Sequence, residues 1–491
     1  MNKLYQRINI PIININISLA LVLMLNFILK IIYINALPLE GDEPFTVFFC
    51  QGTLPELIEM IKTENNPPLH FLLLSIWVKI FGISPFSVRF LSYLFSCFIV
   101  IYIYKIGSNF FSHFVGFFAS LFFTFSSLNM LFSHEARVYS LFAFLTAGAF
   151  FYFLKCLKSK TANNNFIKLT LFNSLIIYAH FFGFIVLFIQ VLTLIYIIIN
   201  NKIEFKKFIY SYIAVFLLYL PYLIIFINRF LYSTSNGTWV SPPTEISALY
   251  FMLWSFCNVP FITVLLIVFL LMALFIYLFK QKNKDINFQT ILVLIWTFVP
   301  FIGMYILSFK VPMYLDRYLV FVSIGFYLIF ALAIYNLRVL LNIKYVYILS
   351  FAVSLLFIIS FEPKKEIDKR KANECALKIK EIKEKNPSTL VILSPDYTFR
   401  TFSYHYNREY FNDYKNTITL LNNENIFPVN NINLIPNHIL KLKNDIVFID
   451  NWASLVDSKE TIKSYIDSLK ANGKNVEDFK IGGTKITYLN Q

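Results

Sequence analysis

The chain contains eleven apolar segments of nearly membrane-spanning length, and this feature limits its fold more than any other. A helix needs about 20 mostly apolar residues to cross a bilayer. Of the 491 residues, 57% are hydrophobic and 14% charged, whereas about a quarter are charged in soluble domains. We therefore predict an α-helical polytopic membrane protein with spans at residues 12–36, 85–104, 112–131, 137–154, 167–180, 182–200, 208–228, 258–279, 288–308, 317–335 and 344–361.

The charges between the spans predict an orientation in the membrane. Lysine and arginine concentrate in every second connection, and cytoplasmic loops carry an excess of these residues. We therefore expect a multi-pass protein of the cytoplasmic (inner) membrane, with its N-terminus inside and its C-terminal domain outside. The net charge of +15 reflects these loops and does not indicate nucleic acid binding, because the basic residues form no single patch.

Composition divides the chain into two predicted domains. Residues 1–361 form the transmembrane domain, which includes an outer loop at residues 37–84, and residues 362–491 are rich in charges of both signs. In the C-terminal part we predict strands at Thr389–Ser394, Asp445–Asp450 and Thr484–Leu489, with helices at Lys364–Lys385 and Ser458–Asn472. Strands that alternate with helices predict a small extracytoplasmic α/β domain.

The outer loop is unusually acidic. The segment 40–70 holds six of the eleven acidic residues in the first 361 positions, although ionised groups are costly to bury near lipid. The adjacent pair Asp42 and Glu43, directly after the first span, is our candidate for the chemical centre. Short helices are predicted after Thr53 and at Leu69–Phe81, where Gly82 ends the second one.

Four groups of polar residues map to the predicted outer side. Each alone also fits an inert interpretation: a solvated acidic loop, a proline turn, a helix-end ion pair and an interfacial anchor. Their convergence on one membrane face favours a functional site. The four groups are Gly41–Pro44, Asn65–His70, Ser133–Tyr139 and Tyr314–Tyr318.

The order of these motifs resembles a known family. An acidic pair follows the first helix, an NxPPLxxLLLxxW run leads to a GxSPxxxRxxS segment ending at Ser92, an EARxYxL turn spans Glu135–Leu141, and RYL stands at Arg317–Leu319. Together they resemble the polyprenyl-phosphate-sugar-dependent glycosyltransferases of the GT-C fold. Within that group the chain is similar to protein O-mannosyltransferases and lipid A aminoarabinose transferases, and is glycosyltransferase family 39-like. The resemblance covers roughly residues 10–340.

The resemblance implies a polyprenyl-phosphate-linked sugar as donor and an inverting displacement with Asp42 as the base. Glu43 then positions the acceptor or a neighbouring group, and Glu135 orients sugar hydroxyls or ligates a divalent metal ion if one is used. No other cofactor is implied. Arginine matches phosphate bidentately. The candidates for binding the substrate or the lipid phosphate are Arg137 and Arg317 first, then Tyr318, His134, Lys79, Arg89 and His70, of which His70 fits a purely structural histidine equally well.

Two other functions remain as alternatives. A polysaccharide polymerase or ligase also uses lipid-linked sugars, although it typically has large outer loops rich in arginine and histidine. A lipid-linked sugar transporter would carry charges in the middle of its helices, and Lys30 is the single candidate of that kind. The acceptor is a lipid, a glycan or a protein, and the sequence does not distinguish these.

Overall fold

The structure is a computed structural model that describes residues 15–159, 163–200, 205–236, 240–279, 287–364, 371–441, 444–457, 459–471 and 474–490. The chain forms two compact units. Unit 1 contains Met1–Ile34, Ile58–His70 and Arg89–Lys365. Unit 2 contains Asn35–Leu57, Phe71–Val88 and Glu366–Gln491, so that most of the predicted outer loop groups with the C-terminal residues.

Helices occupy all eleven predicted spans. The chain begins with α1 (Ile15–Tyr33), α2 (Glu43–Cys50), α3 (Leu54–Thr63) and α4 (Leu69–Phe81). It continues with α5 (Pro85–Phe110), α6 (His113–Thr124), α7 (Ser127–Ser133), α8 (Tyr139–Lys158), α9 (Asn163–Ala179), α10 (Gly183–Asn200), α11 (Lys206–Asn236), α12 (Ser247–Cys257), α13 (Pro260–Phe279), α14 (Phe288–Leu307), α15 (Val320–Asn336) and α16 (Ile343–Ile359). Within the described ranges, seven helices are long and apolar enough to cross a membrane, or eight with α6 and α7 as one span. The predicted polytopic membrane protein is confirmed, and residues 12–14 of its first span lie outside the described residues.

The span predicted at residues 112–131 is broken, because α6 and α7 meet at an angle of 66°. Ser126 caps α7 by accepting a hydrogen bond from the amide of Asn129 (3.3 Å). The side chain of Asn258 accepts from the amide of Ser127 (2.8 Å) and donates to the carbonyl of Phe125 (2.8 Å). Non-helical backbone at membrane depth is tolerated only where protein groups satisfy its polar atoms, and these bonds do so.

Among the seven candidate spans of the described residues, those of α8 and α15 are the most buried, each with 83% of its apolar segment inside the protein. From α15, the hydroxyl of Tyr327 donates to Ser126 Oγ (2.7 Å), which lies at the break. The side-chain amide of Asn129 in α7 donates to Ser323 Oγ (3.3 Å) of α15. Since buried polar groups of this kind are costly when left without partners, they fix the register between α7 and α15.

Unit 2 contains a five-stranded mixed sheet in the order β2-β1-β3-β5-β4. Strand β1 pairs in parallel with β2 and β3, and β5 pairs antiparallel with β3 and β4. The strands are β1 (Leu390–Ser394), β2 (Ile426–Pro428), β3 (Ile446–Asp450), β4 (Asn475–Ile481) and β5 (Thr484–Asn490). The helices are α17 (Ala372–Lys385), α18 (Phe399–Tyr406), α19 (Arg408–Asn412), α20 (Thr417–Asn423), α21 (Asn437–Leu440) and α22 (Thr461–Ala471).

Three of the five strands match the predicted ones, namely β1, β3 and β5. The predicted helices at Lys364–Lys385 and Ser458–Asn472 correspond to α17 and α22, while residues 365–370, 458 and 472 lie outside the described residues. Helices α3 and α4 also match prediction, and Gly82 follows α4 with a φ of 74°. Strands β2 and β4 were not predicted.

We expect Asn258→Ala to destabilise unit 1, because it removes both side-chain hydrogen bonds that satisfy the break between α6 and α7. Loss of these buried partners costs on the order of 2–4 kcal/mol. Thermal unfolding in detergent should show a clearly lower midpoint for this variant. The matched control is Asn164→Ala in the exposed first turn of α9, and an equal shift in both variants would contradict the role given to Asn258.

Candidate active site

The turn between α7 and α8 carries two buried charged residues of the EARxYxL motif. Glu135 and Arg137 are 8% and 7% exposed, and the amide of Arg137 donates to the carbonyl of Glu135 (2.7 Å), which tightens the turn. The hydroxyl of Ser140 donates to the carbonyl of Phe132 (2.7 Å) across the same turn. From α5, the hydroxyl of Ser92 donates to the carbonyl of Arg137 (3.3 Å). The Arg137 backbone is therefore held from two directions.

His134 holds this turn against α1. Its Nε2 lies 2.8 Å from the carbonyl oxygen of Lys30, and since a carbonyl only accepts, Nε2 donates. Burial and then the nearby Lys30 charge lower the pKa of His134 to about 3, so the ring is neutral. In that tautomer Nδ1 carries no hydrogen to give to a phosphate. The observed contact of His134 therefore positions the turn, and its predicted phosphate contact stays a prediction.

Lys30 lies inside the helix packing of unit 1. It is fully buried, its ammonium donates to Ser96 Oγ (2.5 Å), and it lies 4.7 Å from the centre of the Phe123 ring. These contacts join α1 to α5 and α6. Lys30 lies in the last turn of α1 and not in the middle of the helix, and its contacts give it a packing role, which removes the main sequence argument for a transporter.

Arg317 and Tyr318 lie in the 3-10 segment Asp316–Leu319 that precedes α15. The carboxylate of Asp316 accepts from the amide of Arg317 (2.7 Å). The Arg317 guanidinium lies 3.5 Å from the hydroxyl of Tyr139, the last residue of the EARxY turn. The rings of Tyr139 and Tyr318 are 6.4 Å apart.

Three of the four predicted groups of polar residues therefore meet in unit 1. The Tyr139 hydroxyl lies within electrostatic range of Arg137, Glu135 and Arg317. His70 at the start of α4 is 3% exposed, and burial together with the Arg137 charge lowers its pKa to about 3. Two guanidinium groups, a carboxylate and a tyrosine hydroxyl in one cluster can bind a phosphate and orient a sugar.

Arg89 and Lys79 have different surroundings. Arg89 in α5 is 3% exposed, and its guanidinium donates to the carbonyl of Ile34 (3.2 Å) after the end of α1. This bond gives Arg89 a structural function beside its predicted one. Lys79 is exposed in the last turn of α4 and belongs to unit 2.

His180, between α9 and α10, belongs to the same cluster and was not predicted. It is 4% exposed, its ring stacks on Phe142 (5.0 Å between centres), and it lies 5.8 Å from the Tyr318 ring. Its Nδ1 accepts from the amide of Phe182 (3.1 Å), which places the hydrogen of the neutral ring on Nε2. Within the described residues Nε2 has no hydrogen-bond partner. The available signal was a lone histidine in the apolar run YAHFFG, a pattern that is usually structural.

The acidic pair lies in unit 2, at the start of α2. Gly41 has a φ of 64°, which a glycine adopts without strain, and it turns the chain into the helix. Asp42 is the exposed N-cap residue, and its carbonyl accepts from the amide of Thr46 (3.2 Å). Glu43 is 4% exposed. The two side chains therefore have different environments, as expected for adjacent residues with different functions.

A metal site is not apparent among the residues that the structure describes. The described part contains no group of three or more His, Cys, Asp or Glu side chains able to hold an ion. Glu135 lies near Tyr139 together with Arg137 and Arg317, and the positive charge of these arginines disfavours a divalent cation there.

Comparison with known proteins identifies the fold. Residues 65–226, about a third of the chain, match the family described as dolichyl-phosphate-mannose-protein mannosyltransferase. No curated protein matches the chain in sequence. The crystal structure of ArnT from Cupriavidus metallidurans bound to undecaprenyl phosphate is similar, with a TM-score of 0.60 and 9% identity over 96% of this chain and 97% of that one.

Two archaeal structures are similar as well. AglB from Archaeoglobus fulgidus, an oligosaccharyltransferase in complex with an inhibitory peptide and a dolichol-phosphate, has a TM-score of 0.55 and 11% identity over 97% of this chain and 74% of that one. The Archaeoglobus fulgidus oligosaccharyltransferase tethered to an acceptor peptide has a TM-score of 0.55 and 12% identity over 80% and 63%. At these identities the likeness shows the fold, and the predicted GT-C fold is confirmed.

The neutral histidines predict acid sensitivity. Folding lowers the pKa values of His70 and His134 to about 3, so below pH 6.5 the unfolded chain binds more protons than the folded one. The free energy of unfolding should therefore decrease as the pH is lowered below 6.5, by up to about 1.4 kcal/mol per pH unit for each histidine. Thermal unfolding in detergent, compared between neutral pH and roughly pH 5, measures this effect.

His134→Gln keeps a donor for the Lys30 carbonyl but does not titrate, so this variant should lose less stability on acidification. His438→Gln, at an exposed position of α21, is the matched control and should behave as the unchanged protein does. Identical losses in all three proteins would show that His134 is not neutral in the folded state.

Proposed function

We propose that this GT-C protein is a membrane glycosyltransferase. It moves a sugar from a polyprenyl-phosphate donor to an acceptor hydroxyl on the outer face of the cytoplasmic membrane. The proposal includes the orientation expected from the loop charges, with the N-terminus inside and the C-terminal domain outside.

The cluster around Tyr139 carries the proposal. Arg317 contacts the Tyr139 hydroxyl, and Arg137 lies in the buried turn just before it. Guanidinium groups in a weakly polar environment bind phosphate strongly, because solvent does not screen their charge. Support also comes from the relatives: ArnT was solved with undecaprenyl phosphate and AglB with a dolichol-phosphate.

The reaction needs a base and a stabilised leaving group. In the proposed step Asp42 takes the proton of the acceptor hydroxyl, and the hydroxyl oxygen forms a bond to the anomeric carbon. The bond from that carbon to the phosphate oxygen breaks, and the polyprenyl phosphate leaves with the electron pair. A single displacement inverts the anomeric configuration. No general acid is required, because phosphate leaves as a stable anion that Arg137 and Arg317 hold.

The remaining residues assist the charged ones. Glu135 orients sugar hydroxyls beside the phosphate, and the neutral Nε2–H of His180 is a suitable donor to a sugar or phosphate oxygen. Glu43, which is buried, positions the segment around the base. A divalent ion at Glu135 would have to draw its other ligands from the donor phosphate and water.

The acceptor class is open between lipid, glycan and protein. The similar archaeal enzyme was solved tethered to an acceptor peptide, which makes a peptide one chemistry to test. Membranes that contain the protein should be incubated with labelled polyprenyl-phosphate sugars, and the label then followed into the lipid, glycan and protein fractions. Transfer into none of these, with intact and correctly inserted protein, would contradict the proposal.

We expect Asp42→Asn to lower transfer by about 10² to 10⁴-fold, because it removes the base and keeps the shape of the side chain. The initial rate of label transfer measures this, while insertion and thermal stability should stay as in the unchanged protein. Glu59→Gln, at an exposed carboxylate in α3, is the control. Near-normal turnover in Asp42→Asn with loss in Glu43→Gln would reverse the assignment within the pair.

We expect Arg317→Lys to lower activity sharply and to raise the KM for the lipid donor. Lysine provides a point charge but not the planar fork that matches a phosphate. A lysine anchors a helix at the membrane interface almost as well as an arginine, so an anchor would tolerate the change. Arg338→Lys, which is exposed, is the matched control. Full activity in Arg317→Lys would leave Arg137 as the main phosphate ligand.

A further inference from the structure

The helix that begins with the acidic pair packs on α18, α19 and the turn after α19, within unit 2. The Phe48 ring of α2 lies 5.4 Å from the Phe399 ring, 5.4 Å from the Phe411 ring and 4.9 Å from the Tyr414 ring. Phe48 is 4% exposed. More than 350 residues of sequence separate the two sides of this contact, so it is a feature of the tertiary structure alone.

Arg400 lies among the aromatic rings of this contact. Its guanidinium carbon is 5.0 to 5.7 Å from the ring centres of Phe45, Phe48 and Phe49 in α2, and 4.7 Å from that of Phe399. Cations within about 6 Å of a ring centre are attracted by its electron-rich face, and arginine also stacks on it. Because α2 provides three of the four rings, Arg400 links α18 to α2.

Hydrogen bonds hold both ends of α2 as well. The Nε2 of His405 lies 2.8 Å from the carbonyl of Leu39, three residues before Asp42, and it donates because a carbonyl only accepts. Burial lowers the pKa of His405 to about 4, which keeps the ring neutral at physiological pH. Beyond the other end of α2, the side-chain amide of Gln51 donates to the carbonyl of Phe411 (3.3 Å). The segment 39–51 is thus held by hydrogen bonds before and after α2 and by aromatic contacts along it.

We propose that Arg400 and His405 are positioning residues for the acidic pair: they hold the segment 39–51 so that Asp42 keeps one orientation during proton transfer. This gives the C-terminal sequence a function in catalysis. The inference rests on the proposed glycosyl transfer with Asp42 as the base. A base displaced by about 1 Å loses on the order of 10²-fold in rate, so a contact that touches no substrate controls turnover.

An exposed ion pair in the same region provides a matched control. Lys415 and Glu56 are 3.3 Å apart, and the lysine side chain is 70% exposed. Pairs of this kind contribute little because water screens them. Lys415→Met should therefore leave turnover unchanged, whereas Arg400→Met, which removes the charge but keeps similar bulk, should not.

Kinetics of the full-length protein test the proposal first. We expect Arg400→Met and His405→Leu to lower kcat by about 10- to 100-fold with an unchanged KM for the donor. His405→Gln, which keeps a donor for the Leu39 carbonyl, should retain most of the turnover. His438→Leu makes the same chemical change on the exposed helix α21 and serves as the second control. A raised KM with unchanged kcat, or unchanged kinetics, overturns the proposal.

A second measurement does not depend on activity. Cys50, the last residue of α2, is fully buried, and the other cysteines can be replaced to leave it as the single thiol. Arg400→Met should make its labelling by a membrane-impermeant maleimide several-fold faster, because α2 is less firmly held. Unchanged labelling overturns the proposal, and so does faster labelling with unchanged kcat. If Asp42→Asn is active while labelling is faster in Arg400→Met, the assigned base is wrong although α2 is held as described.

Discussion

The requirement that backbone polar groups be satisfied away from water governs the first unit. The chain leaves the helical conformation between α6 and α7, and Asn258, brought there from after α12, bonds both sides of the break. Ser126 completes the arrangement and connects it to Tyr327 in α15. The chain changes direction at this break, and the hydrogen bonds there fix the helix α7 that leads into the turn at residues 134–138.

In this unit the buried lysine and arginine donate hydrogen bonds to oxygen atoms, whereas buried histidine is neutral. Lys30 and Arg89 are desolvated, yet each donates to an oxygen, namely the Ser96 hydroxyl and the Ile34 carbonyl. His134 remains neutral, because burial and then the charges of Lys30 and Arg89 disfavour a further positive charge and lower its pKa. A surrounding of fixed cations and neutral donors suits a bound anion, since no proton has to be lost before the anion is held.

In the second unit, packing of aromatic rings around a guanidinium group holds α2 in place. Phe48 and its neighbours in α2 enclose the Arg400 guanidinium together with Phe399. The helix thereby presents Asp42 to solvent and buries Glu43, although the two residues are adjacent. One of two similar carboxylates, the proposed base, is thus exposed, while the other is held within the protein.

Local sequence determined the membrane helices. A span needs only a long apolar run, and such a run is stable as a helix in lipid whatever its position in the sequence. Local sequence also indicated β1 and β3, which are buried along most of their length, and the motifs around Asp42, Arg137 and Arg317. It missed β2, which has three residues, and β4, which is largely exposed and lacks an apolar face. Only the tertiary structure showed three features: the helix break at Ser126, the ring contact between His180 and Tyr318, and the packing of the Arg400 guanidinium against the aromatic rings of α2. Each of these depends on side chains from distant parts of the sequence, and no local pattern records such partners.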